Sequence, residues 1–191
     1  VKDTGLRRTY PNWISREGQR GQEYNAWGWP KNPPEHEANM VFTRMLSGPM
    51  DFTPGVLSLK GRDDTDILST IAKQLALYVV LYSPIQMAAD LPENYEKHMA
   101  AFQFIKDVAV DWEDSRGIAG EVGDFAVLAR KERGGKGLWF LGAVGDEQAR
   151  NIPVKLDFLA PGKAYTAEIY RDGDDADYRT EKRFSIVIEK K

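Results

Sequence analysis

Apolar residues change their spacing part-way along this chain, and that change constrains the fold more than any other feature. From Phe125 onward they recur at every second position: Phe125, Val127 and Ala129; Ile152, Val154, Leu156 and Phe158; Ala167 and Ile169; Phe184, Ile186 and Ile188. Successive side chains of a strand point to opposite faces, so this is strand periodicity. Arg-Gly-Gly-Lys-Gly at 133–137, Ala-Pro-Gly-Lys at 160–163 and Asp-Gly-Asp-Asp-Ala-Asp at 172–177 separate the runs, each suited to a hairpin connection. An antiparallel β-sandwich is expected, with the doubly apolar segment 138–144 as its central strand.

Before residue 112 the pattern differs. Eight of the ten prolines and three of the five tryptophans fall before residue 100. Ile67, Leu68, Ile71, Leu75, Tyr78 and Tyr82 form a stripe of period 3.6, with Asp66 as the expected N-cap and Pro84 as the stop. Further helices are expected over 35–46 and 95–110, and residues 84–89 read as a short buried parallel strand. Helix alternating with strand is the pattern of an α/β layer, and only about two strands are in view where a closed (β/α)8 barrel takes ~250 residues. The fold class read from the chain is therefore α/β plus all-β: the C-terminal part of a (β/α)8 barrel over 1–111, then an antiparallel β-sandwich over 112–191.

The bulk properties exclude partner classes. The net charge is -3, with 26 basic and 29 acidic residues well mixed, so no long-range field gathers nucleic acid or an anionic membrane. There is no cysteine, which removes disulfides, thiolate metal sites and a Cys nucleophile. The longest apolar stretch, around 75–81, is far short of the ~20 residues of a membrane-spanning helix, so a soluble chain is expected. Residues 1–5 carry no export signal; one on a longer precursor stays open.

The densest cluster of reactive side chains runs from Arg7 to Trp29 and mixes Tyr10, Trp13, Tyr24, Trp27 and Trp29 with Arg16, Arg20, Glu17 and Glu23. Aromatic faces under sugar C–H bonds, with charged groups at the hydroxyls, make this composition suitable for a saccharide pocket. Glu17 and Glu23 are six positions apart, which on a helix puts them about 240° apart. With Gly18 and Gly21 between them a folded loop is expected, and two converging carboxylates offer either a hard-cation site or a proton donor with its partner. The alternative is a pair of solvated acids neutralised by Arg16 and Arg20. Asp51 and Asp90 follow short apolar segments, where barrel strands present side chains to an active face; Pro92 favours a loop-cap role for Asp90. His36 and His98 lack the spacing of a metal motif. The run at 172–177 has Ala176 and Arg183 where a calcium loop needs ligands, and so reads as a polar hairpin. No Ser-His-Asp arrangement, phosphate loop or dinucleotide fingerprint is present.

Several of these stretches belong together. Gly-Leu-Arg-Arg-Thr-Tyr-Pro-Asn at 5–12, Arg-Glu-Gly at 16–18, Gly-Gln-Glu at 21–23, Pro-Pro-Glu-His at 33–36, Gly-Pro-Met-Asp-Phe-Thr-Pro-Gly at 48–55, Gln-Met-Ala-Ala-Asp-Leu-Pro-Glu-Asn-Tyr at 86–95 and Tyr-Arg-Asp-Gly-Asp-Asp-Ala at 170–176 resemble glycoside hydrolase family 97. The resemblance covers nearly the whole chain. It implies the end of a central (β/α)8 barrel followed by a C-terminal β-domain of a calcium-dependent α-glycosidase, either an inverting α-glucosidase or a retaining α-galactosidase.

By its place in the Glu-x5-Glu motif, Glu23 corresponds to the family's general acid and Glu17 to a carboxylate ligand of Ca2+, with Glu23 also near that ion. The same resemblance puts the second catalytic carboxylate upstream of Val1, so the isolated chain is expected to be inactive. It also implies an oligosaccharide substrate, the rest of the parent glycosidase chain as a partner, and a periplasmic or secreted location. An incomplete barrel leaves an open edge, through which self-association is expected. The alternative reading of the chain is a non-catalytic carbohydrate-binding or domain-stabilising β-sandwich module.

Overall fold

Helix α4 (Ile71–Val80) is the element on which the other layers rest. Thr70 caps it, its hydroxyl accepting from Lys73 N at 3.2 Å, so the N-cap is Thr70. The expected cap Asp66 lies outside the helix, where it is ion-paired instead with Lys60 and Arg183, and Ile67 and Leu68 precede the first turn. Eight of the ten residues of α4 are buried, so it is covered on nearly every side. Each large apolar side chain buried there contributes about 1.5–3 kcal/mol.

A computed structural model describes residues 5–27 and 30–191, Trp27 through its backbone alone. Before α4 come two single-turn helices, α1 (Leu6–Thr9) and α2 (Tyr24–Trp27), and α3 (Pro34–Phe42), which begins with proline at its first position and continues into a 3-10 turn, Arg44–Ser47. The single helix expected over 95–110 is two, α5 (Pro92–Lys97) and α6 (Met99–Asp107), because His98 departs from helical geometry.

Residues 84–89 do not form the expected strand. They are bends and irregular chain, with Ile85 and Met87 exposed, and Pro84 has no N–H to donate. The extended contact lies just before: Met50 N donates to Tyr82 O at 3.0 Å, and Asp51 N to Arg16 O at 2.9 Å, with Arg16 and Met50 in a parallel bridge. Three extended stretches, around Arg16, Met50 and Tyr82, thus lie side by side without a continuous ladder among the described residues.

After residue 111 the chain forms two antiparallel sheets. β1 (Trp112–Glu121), β2 (Phe125–Glu132) and β3 (Trp139–Gly145) are ordered β1-β2-β3, and β4 (Glu168–Asp172) pairs with β5 (Ile186–Lys190). The loop at 133–137 joins β2 to β3 as expected, with Gly134 and Gly137 at positive φ. Strand β1 was not visible in the apolar pattern, since Glu113, Asp114, Ser115, Arg116 and two glycines fill it. Conversely, residues 152–158 make no ladder, and Leu156 of that alternating run is exposed. The layering also differs from a simple sandwich. Ala126, Leu128 and Val144 pack on α3 and α4, while Tyr170, Phe184 and Ile186 pack on the α4 and α6 side. Phe104 of α6 touches Phe140 of one sheet and Tyr170 of the other. Each sheet therefore covers helices.

Polar bonds lock the two halves. Arg130 of β2 is buried and donates to Val79 O and Val80 O, satisfying the last carbonyls of α4 at the end where a cation is favoured. Lys73 donates to Gly145 O at 2.8 Å, and Arg183 pairs with Asp66 at 2.8 Å.

Candidate functional site

The loop carrying Glu17 and Glu23 is built around a buried guanidinium. Arg44 donates to the carbonyls of Arg16, Glu17, Gly48 and Pro49, tying the segment of Glu17 to the segment that leads into Asp51. Carbonyls in irregular chain need such partners, because no ladder supplies them. Gly18 passes so close to Arg44 that a Cβ there would collide with it.

Glu23 sits in the turn just before α2. Its carboxylate folds back over Gly21, where a Cβ would meet both oxygens. Thr53 Oγ1 donates to Glu23 Oε2 at 3.0 Å and accepts from Gln22 N at 2.7 Å. Gln22 in turn donates from Nε2 to Glu37 Oε1 at 2.9 Å, and Glu37 is ion-paired with Lys73 at 3.1 Å, both nearly buried. Asn32 Nδ2 holds Gly21 O at 2.8 Å, and Asn25 Oδ1 accepts from Asn32 N.

The folded loop expected between the two glutamates is present. Glu17, Glu23 and Asp51 line one small cavity of 30 Å³, the size of a water molecule or an ion. Glu23 also borders a groove of 770 Å³ with Thr53, Ser58, Asp90, His98 and Phe184. The arginines offered as neutralising partners lie on aromatic rings: Arg16 over Trp13 at 4.5 Å and Arg20 over Tyr24 at 4.6 Å. Tyr10 and Trp13 are in contact at 5.6 Å, so part of the aromatic cluster converges. Gly28, Trp29 and the Trp27 side chain lie outside the described residues.

Asp90 is a loop anchor. Its oxygens accept from Ser58 N, Leu91 N and Asn94 Nδ2. Tyr95 beside it donates to Gly55 O, and burial pushes its hydroxyl pKa up to about 12. His36 contacts Arg20 O through Nε2, and His98 stacks on Phe184, burial lowering its pKa. The run at 172–177 is a polar loop in which Asp175 accepts from Ser185 and Asp177 from Arg179. Among the described residues no group of three or more His, Asp or Glu side chains is arranged to hold a metal, so these residues do not by themselves form a calcium shell. No described helix is long and apolar enough to cross a membrane.

Thr53, Arg44, Glu37 and Lys73 were not singled out from the sequence. A polar residue before proline at the end of an apolar segment was the available signal for Thr53. The other three are ordinary charged residues of helices or turns, whose burial alone distinguishes them.

Residues 111–191 match the family described as "Glycosyl-hydrolase 97 C-terminal, oligomerisation". A Glycoside Hydrolase Family 97 enzyme from Pseudoalteromonas sp., solved in complex with acarbose, is 59% identical, with a TM-score of 0.91 over 100% of this chain and 30% of that one. The chain belongs to glycoside hydrolase family 97. A variant of the same family 97 enzyme, in complex with panose, matches over the same shares at 58% identity and a TM-score of 0.91. A retaining alpha-galactosidase of Bacteroides thetaiotaomicron is 35% identical over 193 residues, covering 94% of this chain and 28% of the relative. The chain thus spans less than a third of the length of these family 97 relatives.

Proposed function

We propose that this chain is part of a longer α-glycosidase and supplies its general acid, Glu23. The observation that carries the reading is the Glu23 carboxyl itself: held by Thr53 and cradled over Gly21, it lines both the large groove and the small cavity shared with Glu17 and Asp51. A general acid protonates the glycosidic oxygen as the bond to the anomeric carbon breaks, and must be held within hydrogen-bond reach of that oxygen. The second carboxylate comes from outside these 191 residues in this reading, as does most of any cation shell. Glu17 and Glu23 would supply two of the oxygens of a Ca2+ site, which takes about 6–8. That ion would orient carboxylates and sugar, and the steps assigned to this chain's residues do not depend on it. Residues 1–111 correspond, in the same reading, to the end of the catalytic barrel, the three stretches around Arg16, Met50 and Tyr82 being the inner ends of its last strands. A glucosyl substrate is favoured, because the 59% identical relative is described with acarbose and panose, both built from α-linked glucose-like units.

The test is Glu23→Gln in the full-length enzyme. Turnover of a disaccharide should fall about 100-fold or more, while an aryl α-glucoside with a good leaving group is spared. Equal losses on both substrates would refute the assignment.

For the β-domain itself we propose a domain-stabilising role, favoured by the bonds of Arg130 to Val79 and Val80 and of Lys73 to Gly145. Self-association is proposed as well; the word oligomerisation in the description of the family that residues 111–191 match supports it for this domain, and the open barrel edge stays an expectation. Export to the periplasm or beyond is proposed on the resemblance alone.

A further inference from the structure

Thr53 has a hydroxyl with one hydrogen and two lone pairs, and both of its neighbours are settled. The Gln22 N–H can only donate, and it occupies a lone pair of Oγ1 at 2.7 Å. The hydroxyl hydrogen is then directed to Glu23 Oε2 at 3.0 Å. The segment that follows Thr53 and its donor Gln22 are each held from elsewhere. Gln74 Oε1 accepts from Gly55 N and Val56 N, Tyr78 OH gives its one hydrogen to Met87 O at 2.7 Å with Pro54 O nearby at 3.3 Å, and Tyr95 OH donates to Gly55 O at 2.9 Å. Gly55 is at φ 82 and lies so close to the Tyr78 hydroxyl that no side chain fits there. On the other side, Gln22 is tied to the Glu37–Lys73 pair.

We propose that Thr53 is a positioning residue for Glu23, keeping Oε2 as an acceptor so that Oε1 is the oxygen that carries the acid proton into the groove. This rests on the reading of Glu23 as the general acid. A carboxylic acid free to rotate presents the proton on either oxygen and in either direction; one oxygen anchored by a rigid donor leaves a single productive arrangement. Gly21 serves the same end by leaving room for the carboxyl to lie against the backbone.

The experiment compares Thr53→Val, Thr53→Ser, Gly21→Ala and Glu23→Gln in the full-length enzyme, on a disaccharide and on a dinitrophenyl glycoside, with thermal midpoints measured for each. Thr53→Val should lower kcat on the disaccharide about tenfold, the worth of one hydrogen bond, with KM little changed. Its kcat on the dinitrophenyl substrate, which needs no acid, should change less than about twofold. Thr53→Ser should restore the disaccharide rate, and Gly21→Ala should show the same leaving-group selectivity as Thr53→Val. Should Thr53→Val not fold, Gly21→Ala and Thr53→Ser carry the test. Equal losses on both substrates in Thr53→Val or Gly21→Ala, beside a leaving-group-selective Glu23→Gln, would overturn the positioning role and leave the acid assignment standing. A Glu23→Gln without that selectivity overturns both.

Discussion

The two parts of the chain are held together in different ways. In β1, β2 and β3 the backbone is paired along antiparallel ladders, from Trp112–Glu132 to Lys131–Trp139, interrupted by register shifts in β1 after Trp112 and Gly117, and side chains are left to pack. Around Glu23 there is no ladder, and buried side chains do that work: Arg44 for four carbonyls, Gln74 for two amides, and Asn32, Tyr78 and Tyr95 for single carbonyls. A regular sheet spreads its stability over many equivalent bonds. An irregular loop concentrates it in a few polar residues, and this is where substitution should be felt most.

Arg44 gives the sharpest version of that contrast. Arg44→Met should lower the unfolding free energy by about 3–5 kcal/mol, because several buried carbonyls lose their donor at once, and a urea titration reads it directly. A loss under about 1 kcal/mol would mean that water or the remaining chain satisfies those carbonyls and that the loop is not centred on Arg44.

Lys73 comes next. Lys73→Met leaves Glu37 buried beside Gln22 without its cation and should cost about 3 kcal/mol. The double variant Lys73→Met/Glu37→Gln should recover part of that loss in the same titration, since a neutral pair avoids an uncompensated buried charge. Additive losses would mean that Lys73 and Glu37 are not energetically coupled.

The smallest effect is expected at the junction of the two parts. Hydrogen bonds from Lys60 and Arg183 depress the Asp66 carboxyl to about 2, below its ordinary value of 3.8. A depressed carboxylate contributes stability that is present above about pH 4 and is lost as pH falls through the folded value. The contribution is modest because Asp66 is half exposed, and it should disappear in Asp66→Asn, whose stability would fall less steeply between pH 4 and pH 2. Identical acid limbs for the two proteins would remove Asp66 as a contributor to the junction.

What could be read along the chain follows from the same division. Alternation marked β2, β4 and β5, and the period of 3.6 marked α4; the doubly apolar run marked β3, which lies at the edge of its sheet and not at the centre, where β2 runs. Alternation failed at residues 152–158, where the chain makes no ladder and Leu156 is exposed, and at β1, whose polar and glycine residues make a strand by pairing with β2 rather than by burial. The strand expected at 84–89 is absent because Pro84 has no N–H for a ladder and Ile85 and Met87 turn to solvent, and the helix does not start at Asp66 because a carboxylate before an apolar stripe can serve an ion pair as well as a cap. The glutamate spacing with its two glycines made the Glu17–Glu23 loop legible, and the resemblance attached roles to it.

By itself, then, the amino-acid sequence determined the change from helices to strands near residue 112, the central helix, most of the antiparallel strands and the pair of glutamates in a glycine-bearing loop. These are encoded in local periodicity and in the steric freedom of glycine. Only the tertiary structure decided that Thr53, thirty residues along, holds Glu23, that Arg44 ties two loops, and that both sheets cover helices. Hydrogen-bond partners distant in sequence leave no periodic trace; they are selected by which backbone groups folding strands away from water.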